Sequence, residues 1–375
     1  MGMTTIQPKC RLAILFGGRS GEHEVSLMSA RSVLAVLDRT RYDVIEIGIT
    51  HTGAWLTGQN ALAAFEQGKT ETLLPASLFP DPSRPGLSVA SAAGEKENII
   101  AVDVYFPILH GTYGEDGTIQ GLFEMADVAY VGASVIGSAV GMEKGVFKDV
   151  MVANNIPVVE SIVVLRSEIE KDIENIVRRA EVIGTYPLFI KPANLGSSVG
   201  ITKCHSRADI AEGLMEAAQY DRRVLIERGV SNPREVEISV LGNDNPEASV
   251  PGEIIPGADF YSYEAKYELD TSELRIPAQL SDAQTSQITS LAIRAFKALD
   301  CCGMARVDFL LDQKTGEIFL NELNTIPGFT KISMYPKLWE ASGRPYAALV
   351  DRLIELALER KADRDRTVHQ FRRHQ

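Results

Sequence analysis

FIKPANLGSSVG, residues 189–200, is an apolar run that ends on a lysine and opens into a loop of glycine and serine. The β-branched and aromatic start reads as a strand. The loop that follows offers backbone N–H groups and hydroxyls to an anion, with Lys191 at the strand end supplying positive charge. Taken alone, such a loop often serves only turn geometry. It is not a Walker A loop, and the Gly68-Lys69-Thr70 triplet lacks the upstream glycine that motif needs.

The stretches downstream give the loop its context. In ARVDFLL (305–311) the two-residue strand period puts Arg306 and Asp308 on one face, and in FLNELNT (319–325) it does the same for Glu322 and Asn324. Any one of these polar groups could simply meet water. As a set, however, two carboxylates and an amide are hard oxygen donors suited to magnesium, and Arg306 is placed to balance charge on a transferring phosphoryl group. VLIERG ends a further strand with Glu227, and REVEISVL alternates so that Glu235 and Glu237 share a face opposite Val236, Ile238 and Val240. That pair fits either a solvated strand face or a hydrogen-bonding edge for a nucleotide.

Upstream, Leu12–Phe16 is an apolar burst ending in Gly17-Gly18, followed by a helix-like stretch with Met28, Val33, Leu34 and Leu37. Similar runs at 44–49 and 99–109 suggest a parallel sheet covered by helices. Residues 60–96, with prolines at 75, 80, 82 and 85, read as a surface excursion. Glycines at 137, 141 and 145 read as a loop-rich crossover, and Ser206 with Asp209 as a capping box. Strands are expected near 158–165 and 188–191, helices near 168–183, 207–219 and 282–299. The expected organisation is an α/β (α+β) chain of three units: 1–135, 136–228 and 229–375, with a mobile loop over 255–275.

The chain has 375 residues, 45% hydrophobic and 23% charged, with a formal net charge of −12. That balance excludes general nucleic-acid binding, which needs a basic face. Four cysteines without CxxC spacing and an opening without a long apolar region point to a cytoplasmic protein with reduced thiols. No apolar run approaches the roughly 20 residues that span a bilayer. The basic end, 360–373, reads as a frayed, solvated helix terminus.

GGRSGEHEVSLMSA (17–30), HGTYGEDGTIQGLFE (110–124), KPANLGSSVG (191–200), YEAKY (263–267), RVDF (306–309) and NELNTIPGFT (321–330) resemble, in this order, the successive motifs of D-alanine:D-alanine ligases. The resemblance covers most of the chain. It implies a three-domain ATP-grasp fold with ATP between the central and C-terminal domains, and an acid–amino-acid ligase that makes D-alanyl-D-alanine through an acyl phosphate, for peptidoglycan synthesis. It further implies two D-alanine molecules, ATP, two Mg2+ (or Mn2+) ions, and a homodimer.

By the same resemblance Glu22 binds the ammonium of the first D-alanine, oriented by Ser197 and Tyr267, and His110 lies near its carboxylate. Lys144, Lys191 and Ser198, with Lys266 in the mobile loop, serve the ATP phosphates, and Glu227 and Glu235 the adenosine. Asp308, Glu322 and Asn324 hold the metal ions, Arg306 and Gly328 the oxyanion, and Ser333 and Met334 the second D-alanine. Each has a plainer reading as well: Glu22 as a helix cap, His110 as a turn histidine, the lysines and glutamates as solvated surface. The segment from 255 to 275, too polar for core, is expected to close as a lid that keeps water from the acyl phosphate.

Three rivals remain on the sequence. An ester-forming ligase taking D-lactate is disfavoured by Tyr267. A regulatory protein that binds nucleotide without turnover is disfavoured by the full set of matched residues. An NAD-dependent oxidoreductase is disfavoured because GGRSGE is not GxGxxG.

Overall fold

The computed structural model describes residues 8–90, 98–196, 199–255 and 273–368. Its strands fall into three sheets. The first holds β1 (Cys10–Gly17), β2 (Tyr42–Ile49), β3 (Trp55–Thr57), β4 (Leu74–Leu78), β5 (Leu87–Val89), β6 (Asn98–Ile100) and β7 (Val104–Pro107), in the order β6-β5-β4-β3-β2-β1-β7. The second holds β8 (Ser161–Leu165), β9 (Leu188–Pro192), β10 (Thr202–Cys204) and β11 (Arg223–Arg228), in the order β10-β9-β11-β8. The third is built on β12 (Arg234–Gly242), β13 (Glu247–Ala248), β14 (Gly252–Ile255), β15 (Glu273–Arg275), β16 (Gly303–Leu311) and β17 (Ile318–Asn324), with β15-β14-β12-β16-β17 as its main path and β13 paired to β12.

Leu12 to Phe16 are all fully buried, so β1 reads as a continuous apolar run rather than an alternating one. Both of its faces are covered. Leu12, Ile14 and Phe16 pack with Leu27, Ala30 and Val33 of the helix His23–Val36 and with Leu349 and Leu353 of the helix Tyr346–Arg364. Ala13 and Leu15 pack with Ile119 and Phe123 of the helix Thr118–Met125. The sheet is parallel only at one end, where β1 pairs with β2 on one side and with the edge strand β7 on the other. From β2 outward the pairings through β6 are antiparallel; between β2 and β3 the connection, residues 50–54, is too short for the crossover that parallel strands need.

Residues 60–96 are therefore not a plain surface excursion. They supply the helix Ala61–Glu66 and strands β4 and β5, with Ala61, Leu62, Leu87 and Val89 buried. The glycines at 137 and 141 are not in a loop-rich crossover either. They lie in the helix Val135–Met142, where a Cβ on Gly137 would sit 3.2 Å from the Cys301 Cα and one on Gly141 3.4 Å from the Leu323 carbonyl oxygen. Small residues there let the helix approach the third sheet.

The basic C-terminal stretch is helical through Arg364 and docked rather than frayed. Arg360 donates to the Gly132 and Tyr130 carbonyls at 2.5 and 2.8 Å, and Arg364 pairs with Glu124 at 2.7 Å. Ser206 and Asp209 form the expected capping box of the helix Arg207–Tyr220. Among the described residues no helix is long and apolar enough to cross a membrane.

Candidate active site

A cavity of about 870 Å3 lies between the second and third sheets, a size suited to a small-molecule ligand. Lys191 reaches it from β9, Glu227 from β11, Glu235 from β12, Arg306 and Asp308 from β16, and Glu322 and Asn324 from β17. Lys144, the first residue of the helix Lys144–Ala153, joins them. The structure thus gathers eight of the expected residues around one space.

Register explains the acidic end. Glu237 stands opposite Asp308 across β12 and β16, and Asp308 opposite Glu322 across β16 and β17. Three carboxylates in a row across adjacent strands repel one another unless cations intervene. Arg306 is one such cation: its Nε and Nη2 donate to the two Asp308 oxygens at 2.8 and 2.6 Å, and its Nε lies 3.0 Å from Glu237. These acids hold the Arg306 guanidinium well above its usual range, although burial pulls the other way. Asn324 Nδ2 donates to Asp308 at 3.1 Å and to Glu322 at 3.4 Å, which closes the cluster. Two carboxylates and an amide oxygen are the hard donors that magnesium takes.

At the basic end, Glu227 is buried between two ammonium groups, 2.7 Å from Lys148 Nζ and ion-paired with Lys191. Burial lowers the Lys148 ammonium, whereas Lys191 is raised because Glu227 outweighs its burial. Lys144 Nζ donates to the Leu195 carbonyl at 2.5 Å, and the Lys144 backbone N–H donates to Ala193 at 2.8 Å, so the residue is tied to the chain following β9. Its ammonium is lowered by burial. Sequence reading missed Lys148. The signal was present, since Lys144 and Lys148 are four apart on one helix face.

A third group of side chains joins the first sheet's loops to the third sheet. His110 Nδ1 lies 3.0 Å from the Ile326 carbonyl oxygen and 3.6 Å from Glu115, while Nε2 lies 2.9 Å from Ser29 Oγ. The carbonyl can only accept, so Nδ1 carries a proton. Ser29 Oγ also accepts from the Phe329 N–H at 3.3 Å, which staples the 326–330 loop to the helix His23–Val36. Burial disfavours the His110 cation, but Glu115 and Glu22 outweigh it and raise the group. Burial also pushes Glu115 up, to about 7, against the opposing pull of the nearby His110 imidazole. Glu115 lines the cavity as well. It stands inside the HGTYGEDG stretch, where nothing in the sequence marks it as buried.

Glu22 occupies the N-cap position of its helix without a side-chain capping bond, so the capping reading fails. A Cβ on Gly111 would lie 2.6 Å from Glu22 Oε2 and one on Gly196 3.2 Å from it. The carboxylate therefore sits between the His110 loop and the loop after β9. Gly328 is similarly hemmed in, because its Cβ would fall 2.7 Å from Ser333 Oγ. That hydroxyl pairs with Thr330 Oγ1 at 2.8 Å and accepts from the Thr330 N–H at 3.1 Å. Met334 is packed with Ile254 and Leu338 in a small apolar cluster and does not line the cavity. Ser197, Ser198, Lys266 and Tyr267, and most of the expected lid, lie outside the described residues.

Two consequences can be measured. Gly328→Ala should displace Ser333 and lower turnover by about tenfold or more with little change in global stability, since a 1 Å misplacement near a reacting centre is costly; unchanged kinetics would show that the loop tolerates the methyl. Glu115 is protonated more readily in the folded chain than in the unfolded one, so its contribution to stability is full below about 4.5 and is lost as pH rises toward about 7. Glu115→Gln should flatten that part of the stability–pH curve, as read by thermal melting across the interval.

Residues 11–133 match the model of the D-ala D-ala ligase N-terminus, and residues 150–355 that of the D-ala D-ala ligase C-terminus. A D-alanine--D-alanine ligase of Heliobacterium modesticaldum is 48% identical over 96% of this chain and 97% of its own length. One from a Thermoanaerobacter species is 51% identical over 94% and 97%. Among solved structures, the D-alanine-D-alanine ligase from Coxiella burnetii superposes with a TM-score of 0.81 at 37% identity, covering 96% of this chain and 97% of that one. The VanG D-Ala:D-Ser ligase from Enterococcus faecalis does so with 0.83 at 34%, covering 93% and 100%. With both halves matched and relatives of this similarity aligned almost end to end, the chain belongs to the D-alanine:D-alanine ligase family, whose solved members share the ATP-grasp fold.

Proposed function

We propose that the protein joins two D-alanines into D-alanyl-D-alanine, converting ATP to ADP and phosphate, as a cytosolic step in peptidoglycan precursor synthesis. The observation that carries this reading is one cavity with lysines at one end and an arginine-bound row of acids at the other. A carboxylate is a poor electrophile and oxide a poor leaving group, so the acid must first be activated. Its oxygen attacks the γ-phosphorus of ATP, ADP departs, and an acyl phosphate forms. The second amine then attacks the acyl carbon, gives up a proton, and expels phosphate that carries one former carboxylate oxygen.

In this proposal Lys144, Lys191, Ser198 and Lys266 hold the phosphates, and Glu227 and Glu235 the adenosine. Glu22, with Ser197 and Tyr267, orients the first amino acid, and His110 sits at its carboxylate. Arg306 and the Gly328 backbone face the tetrahedral oxyanion, and Ser333 and Met334 border the second amino acid. Asp308, Glu322 and Asn324 would hold two magnesium (or manganese) ions. When bound, these supply Lewis-acid charge neutralisation to the phosphate oxygens. The fixed cations and dipoles of the chain do the rest by positioning and electrostatic stabilisation. The proposal includes units 1–135, 136–228 and 229–375, a lid over 255–275, and a homodimer.

The test is oxygen transfer. With D-alanine labelled in its carboxylate by 18O, the released phosphate should carry one labelled oxygen. Label retained wholly in the amino-acid products would contradict carboxylate activation.

A further inference from the structure

Away from the cavity, His23, Glu24 and His51 bring one ligating atom each to within 4.8 Å of the other two. None of the three lines the cavity. Neighbouring helix residues point about 100° apart, so His23 and Glu24 alone would not converge. The register of β1 with β2, Gly17 opposite Ile49, carries the chain past the sheet edge and sets His51 over the first helical turn. The Gly18 N–H donates to the Ile49 carbonyl at 2.8 Å and fixes that approach.

His23 is only 5% exposed, and its Nδ1 lies 2.9 Å from the Gly18 carbonyl oxygen. A carbonyl only accepts, so Nδ1 holds the ring proton and the lone pair resides on Nε2. This is the tautomer that a backbone carbonyl commonly fixes in a metal-ligating histidine. Among the described residues no protein group hydrogen-bonds that Nε2. The His51 ring stacks on His23 with centroids 3.8 Å apart, and its Nε2 lies 3.9 Å from Glu24 Oε1. Stacked rings have near-parallel lone pairs, so one ring must swing open to share an ion. His51, with 68% of its side chain exposed, is the one that can.

We propose that His23, Glu24 and His51 form a binding site for a first-row transition-metal dication of the zinc type, separate from the magnesium-type acids of the cavity. Two imidazoles and one carboxylate suit zinc, cobalt or nickel, and water completes the shell. Magnesium, which prefers oxygen, is a poor competitor there. An ion in this site would clamp the turn after β2 to the helix start one residue beyond Glu22. The site is independent of the ligase reading and stands or falls without it.

The experiment uses the full chain in saturating Mg2+, titrated with Zn2+ by calorimetry and with Co2+ by visible absorption. His51→Ala and Glu24→Ala alter exposed side chains outside the catalytic machinery, and circular dichroism checks that both fold. The parent should bind one equivalent at micromolar affinity or better, weakened at least about tenfold in each variant, with Co2+ bands of a nitrogen- and oxygen-ligated ion. Equal binding by the parent and both variants would place the ion elsewhere and overturn the proposal. No binding by the parent would overturn it as well.

Discussion

Arg306→Ala is expected to reduce turnover by roughly 10²–10³-fold, the scale of losing one preorganised group that faces developing negative charge. The residue grips both oxygens of Asp308 and touches Glu237. Its removal leaves neighbouring acids opposed across three strands. Stability should therefore fall too, by about 3–5 kcal/mol, as for other buried pairs that lose one partner. Arg306→Lys separates the two effects: it keeps the charge and part of the stability but loses the planar fork, so turnover should stay low. Steady-state rates beside urea denaturation read both. Near-normal turnover in a destabilised Arg306→Ala protein would make the arginine a strut for the acids and not a participant.

Glu227→Gln should be the second severe change, costing about 3–5 kcal/mol because two buried ammonium groups lose the carboxylate between them. The sign with pH follows from the same geometry. Burial alone would raise the Glu227 carboxyl, but Lys148 and then Lys191 outweigh it and hold the group at about 2, against 4.5 for the free side chain. The contribution is thus present above about 4.5 and is lost as pH falls toward about 2. Acid unfolding of the parent should show this limb, and Glu227→Gln should lack it. Lys148→Met leaves Glu227 its partner Lys191, so it should raise the KM for ATP more than it lowers kcat. An unaltered acid limb in Glu227→Gln would assign the acid sensitivity to other carboxylates.

Much of this arrangement is written in strand periodicity. Arg306 with Asp308, and Glu322 with Asn324, could be placed on common faces because side chains alternate along a strand. The row that joins Glu237, Asp308 and Glu322 depends on cross-strand register, which no local pattern states. Residues 60–96 are hard to read for a related reason: their strands are short, β4 is partly exposed, and prolines at 80, 82 and 85 stand between β4 and β5, so antiparallel additions to the sheet look like loop. Gly137 and Gly141 misled because spacing cannot say whether a small residue serves a turn or a close approach. Only the neighbours at Cys301 and Leu323 decide it. Burial was equally hidden. Lys148 and Glu115 look like ordinary surface charges in sequence, and become informative only when a carboxylate or an imidazole is found beside them.

In the proposed function this cavity couples ATP cleavage to the joining of two D-amino acids. Phosphate release from Mg-ATP by the purified protein, with products identified by mass, tests it directly across D-alanine, L-alanine, and D-alanine with D-lactate. Release should require D-alanine and should yield D-alanyl-D-alanine, in the mixture with D-lactate as well. An ester as the main product at neutral pH, or ATP binding with no D-alanine-dependent turnover, would contradict it.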